Sequence, residues 1–168
     1  MARRTSRPLH LGQAIDEGTR FGDVGAPGDA QDRLLTRGRS IGPDTASEEL
    51  HELRKDAKRL RYLLECFAGV LPATTRKSFV ARLKSLQDNL GEHQDTEVHS
   101  SELRSLSQAV HGAPGVTAET LLAMGRLTEL FEQRRQAARQ EFATRFAAYD
   151  TKKTGEIFDD MRKGLSAR

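Results

Sequence analysis

The residues best suited to chemistry in this 168-residue chain form a cluster of bases between positions 51 and 62. The stretch reads His-Glu-Leu-Arg-Lys-Asp-Ala-Lys-Arg-Leu-Arg-Tyr, with five lysines or arginines and one histidine against two acids. Three of the five bases are arginines, and the rigid fork of donors on arginine is suited to phosphate oxygens. This composition predicts binding of a multivalent oxyanion.

One amphipathic helix positions these bases. Apolar residues recur at alternating spacings of three and four, which is typical of a helix that packs along its whole length. The members of this seam are Leu50, Leu53, Ala57, Leu60, Leu64, Phe67 and Leu71. The pattern predicts a helix over 46–71, stopped by Pro72.

The bases lie together on one side of this predicted helix. On a helical wheel the basic face consists of His51, Arg54, Lys55, Lys58 and Arg61. Arg59 lies at its far edge, and the acids Glu52 and Asp56 occupy the remaining arc. Most charge runs are only solvated helix faces. Here the acids and bases are segregated by angle instead of being spaced for intrahelical pairing, and this favours a binding face.

The rest of the sequence predicts further helices and no strand. Helical spacing of apolar residues predicts a helical stretch from about 74 to 90 and another over 98–110 that overlaps or continues it. It also predicts a helix over 117–150, a loop at 111–115 and a short helix after Gly155. The predicted buried stripe over 117–150 is Leu121, Met124, Leu127, Phe131, Ala138, Phe142, Phe146 and Tyr149. The fold class is therefore all-α, an antiparallel helical bundle of three long helices plus a short C-terminal helix.

Composition sets the outer limits of function. Residues 1–43 contain seven glycines and three prolines, so we expect a largely flexible segment with a short helical piece at 29–37, followed by a helical domain over 44–168.

The net charge of +3 is too small to indicate a class of binding partner. Cys66 is the single cysteine, which excludes an internal disulfide, and we expect it to be mostly buried. No apolar stretch is long enough for a membrane span, so we expect a cytoplasmic protein.

Two segments resemble the CHAD family, the conserved-histidine α-helical domains. The first runs from Leu50 to Phe67 and contains His-Glu-Leu-Arg-Lys-Asp-Ala-Lys-Arg-Leu-Arg-Tyr. The second is Leu83-Lys84-Ser85-Leu86-Gln87-Asp88-Asn89-Leu90-Gly91-Glu92-His93-Gln94-Asp95. The resemblance covers roughly residues 46–110. A full CHAD domain contains two such halves that face each other across a basic pore, and this chain resembles the C-terminal half alone.

The resemblance implies non-enzymatic binding of inorganic polyphosphate, with association with polyphosphate granules in some relatives. The implied anion contacts are His51, Arg54, Lys55, Lys58, Arg59, Arg61, Lys84 and His93. Tyr62 and Gln87 are implied hydrogen-bond donors, and no cofactor is implied. Because a single half lacks its opposite wall, we expect a homodimer, or a separate chain that supplies the missing half.

Two other classes of function stay open at this stage. One is a structural or granule-associated helical interaction module, and the other is a general nucleic-acid-binding protein that uses the same charge. Sparse aromatic residues make nucleic acid the weaker prediction. A metal site at His93, Asp95, Glu97 and His99 is disfavoured because the spacing fits no known ligand pattern. No nucleophile motif supports catalysis.

Overall fold

A computed structural model describes residues 27–166, with side chains up to residue 163. The helices are α1 (Pro27–Ser40), α2 (Ser47–Cys66), α3 (Ala73–Val110), α4 (Ala118–Tyr149) and α5 (Lys152–Ser166). No strand occurs within the described range, so the prediction of an all-α bundle is confirmed. Helix α1 corresponds to the short helical piece predicted at 29–37 and is longer by two residues at its start and three at its end.

The seam of α2 forms the centre of the hydrophobic core. Of its seven predicted residues, all except Phe67 are at most 5% exposed. Phe67 is 37% exposed because α2 ends at Cys66, and a turn continues the chain to Leu71 and Pro72. The helix is therefore shorter than predicted. The prediction that Cys66 is mostly buried is wrong, because this last helical residue is exposed.

The helices predicted around 74–90 and 98–110 are one continuous helix, α3, which is 38 residues long. It continues through Gly91, where a side chain would meet no atom within 4 Å, so nothing in the packing requires a break. Phe79, Leu83, Leu86 and Leu90 are buried as predicted. A short loop then reverses the chain, and Thr117 caps α4 by accepting a hydrogen bond from the backbone N–H of Thr120 at 3.3 Å.

Only the C-terminal part of α4 is buried. Ala138, Phe142, Phe146 and Tyr149 lie in the core or at its edge, whereas Leu121, Met124 and Phe131 are half-buried and Leu127 is 46% exposed. The prediction of one continuous buried stripe is therefore wrong for the first half of the helix. The reason is geometric, since α3 and α4 extend together as a hairpin beyond the shorter helices.

Helix α1 lies in the N-terminal segment, residues 1–43, that composition predicts to be largely flexible, and it packs against the core. Ala30 and Leu34 are fully buried in the same core as the α2 seam. Helix α1 approaches α4 so closely at Gly38 that a Cβ there would overlap the ring of Phe146, which explains why this position is a glycine. The helical domain therefore includes Pro27–Ser40, and the part of the predicted flexible segment before residue 27 lies outside the described residues.

Long-range polar contacts fix α1 and the loop after it. Arg37 donates to Glu49 and Asp56 of α2, each at 2.8 Å. From α4, Nη2 of Arg139 donates to the backbone carbonyls of Gly42 and Thr45 at 2.7 and 2.6 Å. These contacts hold the start of α2, and thereby the basic face, in place against the α3–α4 hairpin.

Candidate functional site

The predicted bases of α2 lie on a helix that runs antiparallel to α3. His51 Nδ1 lies 2.6 Å from Oε1 of Gln94, and Gln87 donates to the carbonyl of Ala57 at 3.0 Å. Gln87 was an implied donor to the anion, and in the structure its amide group holds the two helices together. The histidine therefore sits at the seam between α2 and α3, and the bases extend outward from it.

Carboxylates accompany four of the predicted bases. Within α2, Lys55 pairs with Glu52 at 2.6 Å and Arg61 pairs with Glu65 at 2.8 Å. The α3 residues supply Asp95 to Arg54 at 3.6 Å, and Asp88 to Lys84 at 2.8 Å. Local charge compensation is therefore much greater than the helical wheel of α2 alone indicates.

Three of these ion pairs are short but solvent-exposed, and the fourth, between Arg54 and Asp95, is long. The side chains of Arg61 and Glu65 are 46% and 48% exposed, and the Arg54 pair is longer than a good hydrogen bond. Exposed pairs of this kind stabilise a protein by about 0 to 1 kcal/mol, since water solvates both partners. A multivalent anion that binds several bases at once can therefore displace the carboxylates.

Two bases of α2 differ from the others. Lys58 is half-buried and forms no ion pair with any residue of the described chain. Arg59 is also half-buried, and its Nε is buried without a hydrogen-bond partner. Lys58 therefore offers an uncompensated charge in the middle of the basic face, between Arg54 and Arg61.

Lys84 lies at the margin of a groove between α3 and α4. The groove has a volume of about 540 Å³ and is also lined by Arg134 and Arg145. Its bases are matched by acids of the same two helices, including Asp88, Glu92 and Glu141. This groove carries mixed charge. Helix α2 also has as many acids as bases, five of each, and differs in that its bases are clustered between positions 54 and 61.

His93 does not join the basic face. It is 3% exposed and lies between α3 and α4, facing Arg135 and Arg139 of α4. Burial is the main cause that lowers the pKa of His93, and the two arginines lower it further, while Glu97 opposes them. In this conformation His93 is a neutral interior residue.

A polar seam joins α3 to α4 around His93. The Asn89 side chain donates to the carbonyl of Ala138 at 2.9 Å, and the Ser100 hydroxyl donates to Glu132 at 2.7 Å. Hydrogen bonds from Ser100, Arg135 and Arg104 lower the pKa of Glu132 to about 2. Sequence reasoning missed this seam. The available signal was that polar residues replace apolar ones at buried spacing in α3 after Leu90.

Replacement of His93 by glutamine is expected to flatten the acid sensitivity of folding. In the unfolded chain a histidine takes up a proton below about pH 6.5, whereas the lowered pKa of buried His93 resists protonation. The free energy of unfolding of the wild-type protein is therefore highest, with respect to His93, above about pH 6.5. It decreases as the pH falls from there toward the pKa of His93 in the folded protein.

Urea unfolding at pH 7.5, 6.0 and 5.0 measures this effect. His99→Gln is the matched control because His99 is exposed on the same helix. Equal pH dependence in wild type and His93→Gln would contradict the burial of a neutral imidazole.

In residues 27–166, no group of three or more histidine, cysteine, aspartate or glutamate side chains is arranged to hold a metal ion. His93 is buried, whereas His99 is exposed and its ring lies 5.2 Å from that of Phe131. In the same range, no helix is both long and apolar enough to cross a bilayer.

The structure defines the class of protein, an all-α helical bundle. Residues 26–104 match the family model described as the CHAD domain. The resemblance drawn from the two helical motifs is therefore confirmed over this part of the chain, which contains α1, α2 and most of α3. The match begins before α1, in agreement with the packing of that helix into the core. A search of curated proteins found no match to this chain.

Proposed function

We propose that this protein binds inorganic polyphosphate through the basic face of α2, without catalysing a reaction on it. The observation that carries the proposal is the alignment of Arg54, Lys58 and Arg61 at spacings of four and three on one helix. Such spacings bring the three side chains to the same side at intervals of about one helical turn. A flexible chain of phosphates can contact all of them in succession.

The carboxylates that pair with these bases compete with the phosphates for them. Each exposed ion pair on the face contributes at most about 1 kcal/mol, whereas charged hydrogen bonds to phosphate contribute roughly 1.5 to 3 kcal/mol each. Arg54 and Arg61 each exchange one carboxylate partner for a phosphate oxygen. Lys58 exchanges no carboxylate among the described residues. Binding several phosphates at once is therefore favourable, and it weakens as salt rises.

Nucleic acid is the second candidate, because two aromatic rings are exposed near the C-terminal end of the basic face. Tyr62 is 39% exposed and Phe67 is 37% exposed, and exposed rings beside bases are typical of single-strand binding. Polyphosphate needs no stacking surface. The two functions therefore differ in one measurable respect: stacking of RNA nucleobases on these rings would make RNA bind more tightly than polyphosphate of equal charge.

Competition binding at about 150 mM salt separates these functions, since this ionic strength already damps nonspecific electrostatic binding. Labelled long-chain polyphosphate is bound to the full chain, then displaced by unlabelled polyphosphate, single-stranded RNA or duplex DNA at equal phosphate concentration. We expect polyphosphate to compete at least about tenfold better than either nucleic acid. Equal competition by RNA would favour the nucleic-acid function, and absence of binding would favour a structural helical module.

The proposal also includes two associations. One is with polyphosphate granules, where a binding protein of this kind would concentrate. The other is with a second chain, either a copy of this one or a separate chain that supplies the missing opposite half.

A further inference from the structure

The outer half of the α3–α4 hairpin has no core of its own. Between Ser100 of α3 and Ala138 of α4, no residue is buried. The polar contacts of α2 nearest this region are to Gln94 and Asp95, so α2 does not cover it. Apolar residues nevertheless continue along both helices, and exposed clusters of this kind mark interaction surfaces.

Contacts between α3 and α4 identify two sides of the hairpin. Glu92 pairs with Arg134 at 2.7 Å, and the His99 ring lies 5.2 Å from that of Phe131, which marks one side. The other side carries the contacts of Glu132 with Ser100 and Arg104. Arg139, which holds the loop after α1, lies at helical spacing from Glu132. The first side therefore faces away from the rest of the bundle.

Helical spacing places the apolar residues of the hairpin on this outward side. On α3, Leu103, Leu106 and Val110 lie four, seven and eleven residues after His99. On α4, Met124, Leu127 and Leu130 lie seven, four and one residues before Phe131. The outer flank is defined as Leu103, Leu106, Val110, Met124, Leu127, Leu130 and Phe131. Leu106, Leu127 and Leu130 are 52%, 46% and 47% exposed.

We propose that the outer flank is the surface through which two copies of this chain associate side by side, with their hairpin tips pointing in the same direction. This contact would join the two hairpins, whose outer halves have no core, into a four-helix bundle with a hydrophobic core. The basic face offers no comparable set of exposed leucines, so we place the contact between copies on the hairpin and not on α2.

Charge complementarity favours a second copy as the occupant. Glu102 borders the flank on α3, and Arg126 borders it on α4, each four residues before a flank leucine. Both are exposed, and neither forms an ion pair with a described residue. The pairing of Ser100 with Glu132 sets the two helices in register, which places Glu102 and Arg126 within about one helical turn of each other along the hairpin.

A twofold axis parallel to the helices makes these two charges meet. It places α3 of one copy against α4 of the other, so Glu102 of each copy faces Arg126 of the second copy. Two new ion pairs then flank the apolar contact. An arrangement with the tips in opposite directions would instead place α3 on α3, and the complementary pairs would be lost.

The test is the mass of the full chain in solution without polyphosphate, measured by light scattering over about 1 to 100 µM. We expect a dimer that dissociates when Leu106→Glu and Leu127→Glu are combined, with the dissociation constant raised at least about 100-fold. Leu122→Glu is the matched control, because Leu122 is 63% exposed on α4 but lies off the outer flank. It should leave the dimer intact.

Charge reversal tests the identity and direction of the partner. Glu102→Arg alone and Arg126→Glu alone should each weaken the dimer by about fivefold or more, and the combined variant should restore it. A monomeric wild type would overturn the proposal. A dimer insensitive to the leucine substitutions would place the contact elsewhere, and failure of the double reversal to restore association would refute the parallel arrangement. Because polyphosphate is absent, these outcomes do not depend on whether the protein binds polyphosphate.

Discussion

Combined replacement of Arg54, Lys58 and Arg61 by alanine is expected to weaken polyphosphate binding at least about 100-fold at about 150 mM salt. Each lost contact removes a charged hydrogen bond of roughly 1.5 kcal/mol or more, and three such losses exceed a factor of one hundred. The logarithmic salt dependence of the binding constant should also become shallower, by about 2 to 3. Fluorescence anisotropy with labelled polyphosphate in a salt series measures both quantities.

The control for this experiment removes the same charge elsewhere. Arg145, Lys152 and Lys163 are exposed bases, each paired with an acid three or four residues away, as Arg61 is. Their combined replacement by alanine should reduce affinity by much less than the α2 variant does. Equal losses in the two triple variants, with circular dichroism unchanged, would mean that only total charge matters and that α2 holds no defined site.

Leu34→Ala is expected to lower the free energy of unfolding by about 3 kcal/mol. Leu34 is completely buried in α1, and truncation of a buried leucine leaves a cavity that the surroundings fill only in part. The loss corresponds to a more than 100-fold change in the folding equilibrium. Chemical denaturation followed by circular dichroism at 222 nm measures it.

Leu122→Ala provides the comparison, because the Leu122 side chain is largely exposed and its truncation should change stability by no more than about 0.5 kcal/mol. If Leu34→Ala were equally mild, α1 would not belong to the cooperative core. That outcome would instead support a helical domain that begins near residue 44, as composition predicts.

Local periodicity predicted the parts of the fold that depend on neighbouring residues. The seam of α2 and the buried face of α3 from Phe79 to Leu90 follow the spacing of apolar residues, and both are buried as predicted. The cap at Thr117 also depends only on adjacent residues. Such features are predictable because a helix fixes the relative positions of residues three and four apart.

Features that depend on distant residues were not predictable in the same way. The glycine content before residue 44 indicated flexibility, yet Gly38 permits the close approach of Phe146, more than one hundred positions away. The end of the buried stripe in α4 depends on where α1 packs, with Gly38 against Phe146 and Gln31 accepting a hydrogen bond from Tyr149, and the periodicity of α4 does not record this packing.

For the candidate site, the wheel of α2 placed the bases on one face but omitted their partners. The pairing of Arg61 with Glu65 follows from spacing within one helix, whereas that of Arg54 with Asp95 requires the packing of α3 on α2. His93 illustrates the opposite limit. Its motif implied an anion contact, and only the depth of the α3–α4 interface shows that its side chain is buried.

The most direct test of the central proposal is to map the contact of polyphosphate on the protein, residue by residue. Amide chemical shifts of the ¹⁵N-labelled full chain are followed by NMR as long-chain polyphosphate is added at about 150 mM salt. The proposal predicts saturable changes concentrated in α2 between His51 and Arg61, with smaller changes near Lys84 on α3. Changes centred elsewhere, or none at all, would contradict it.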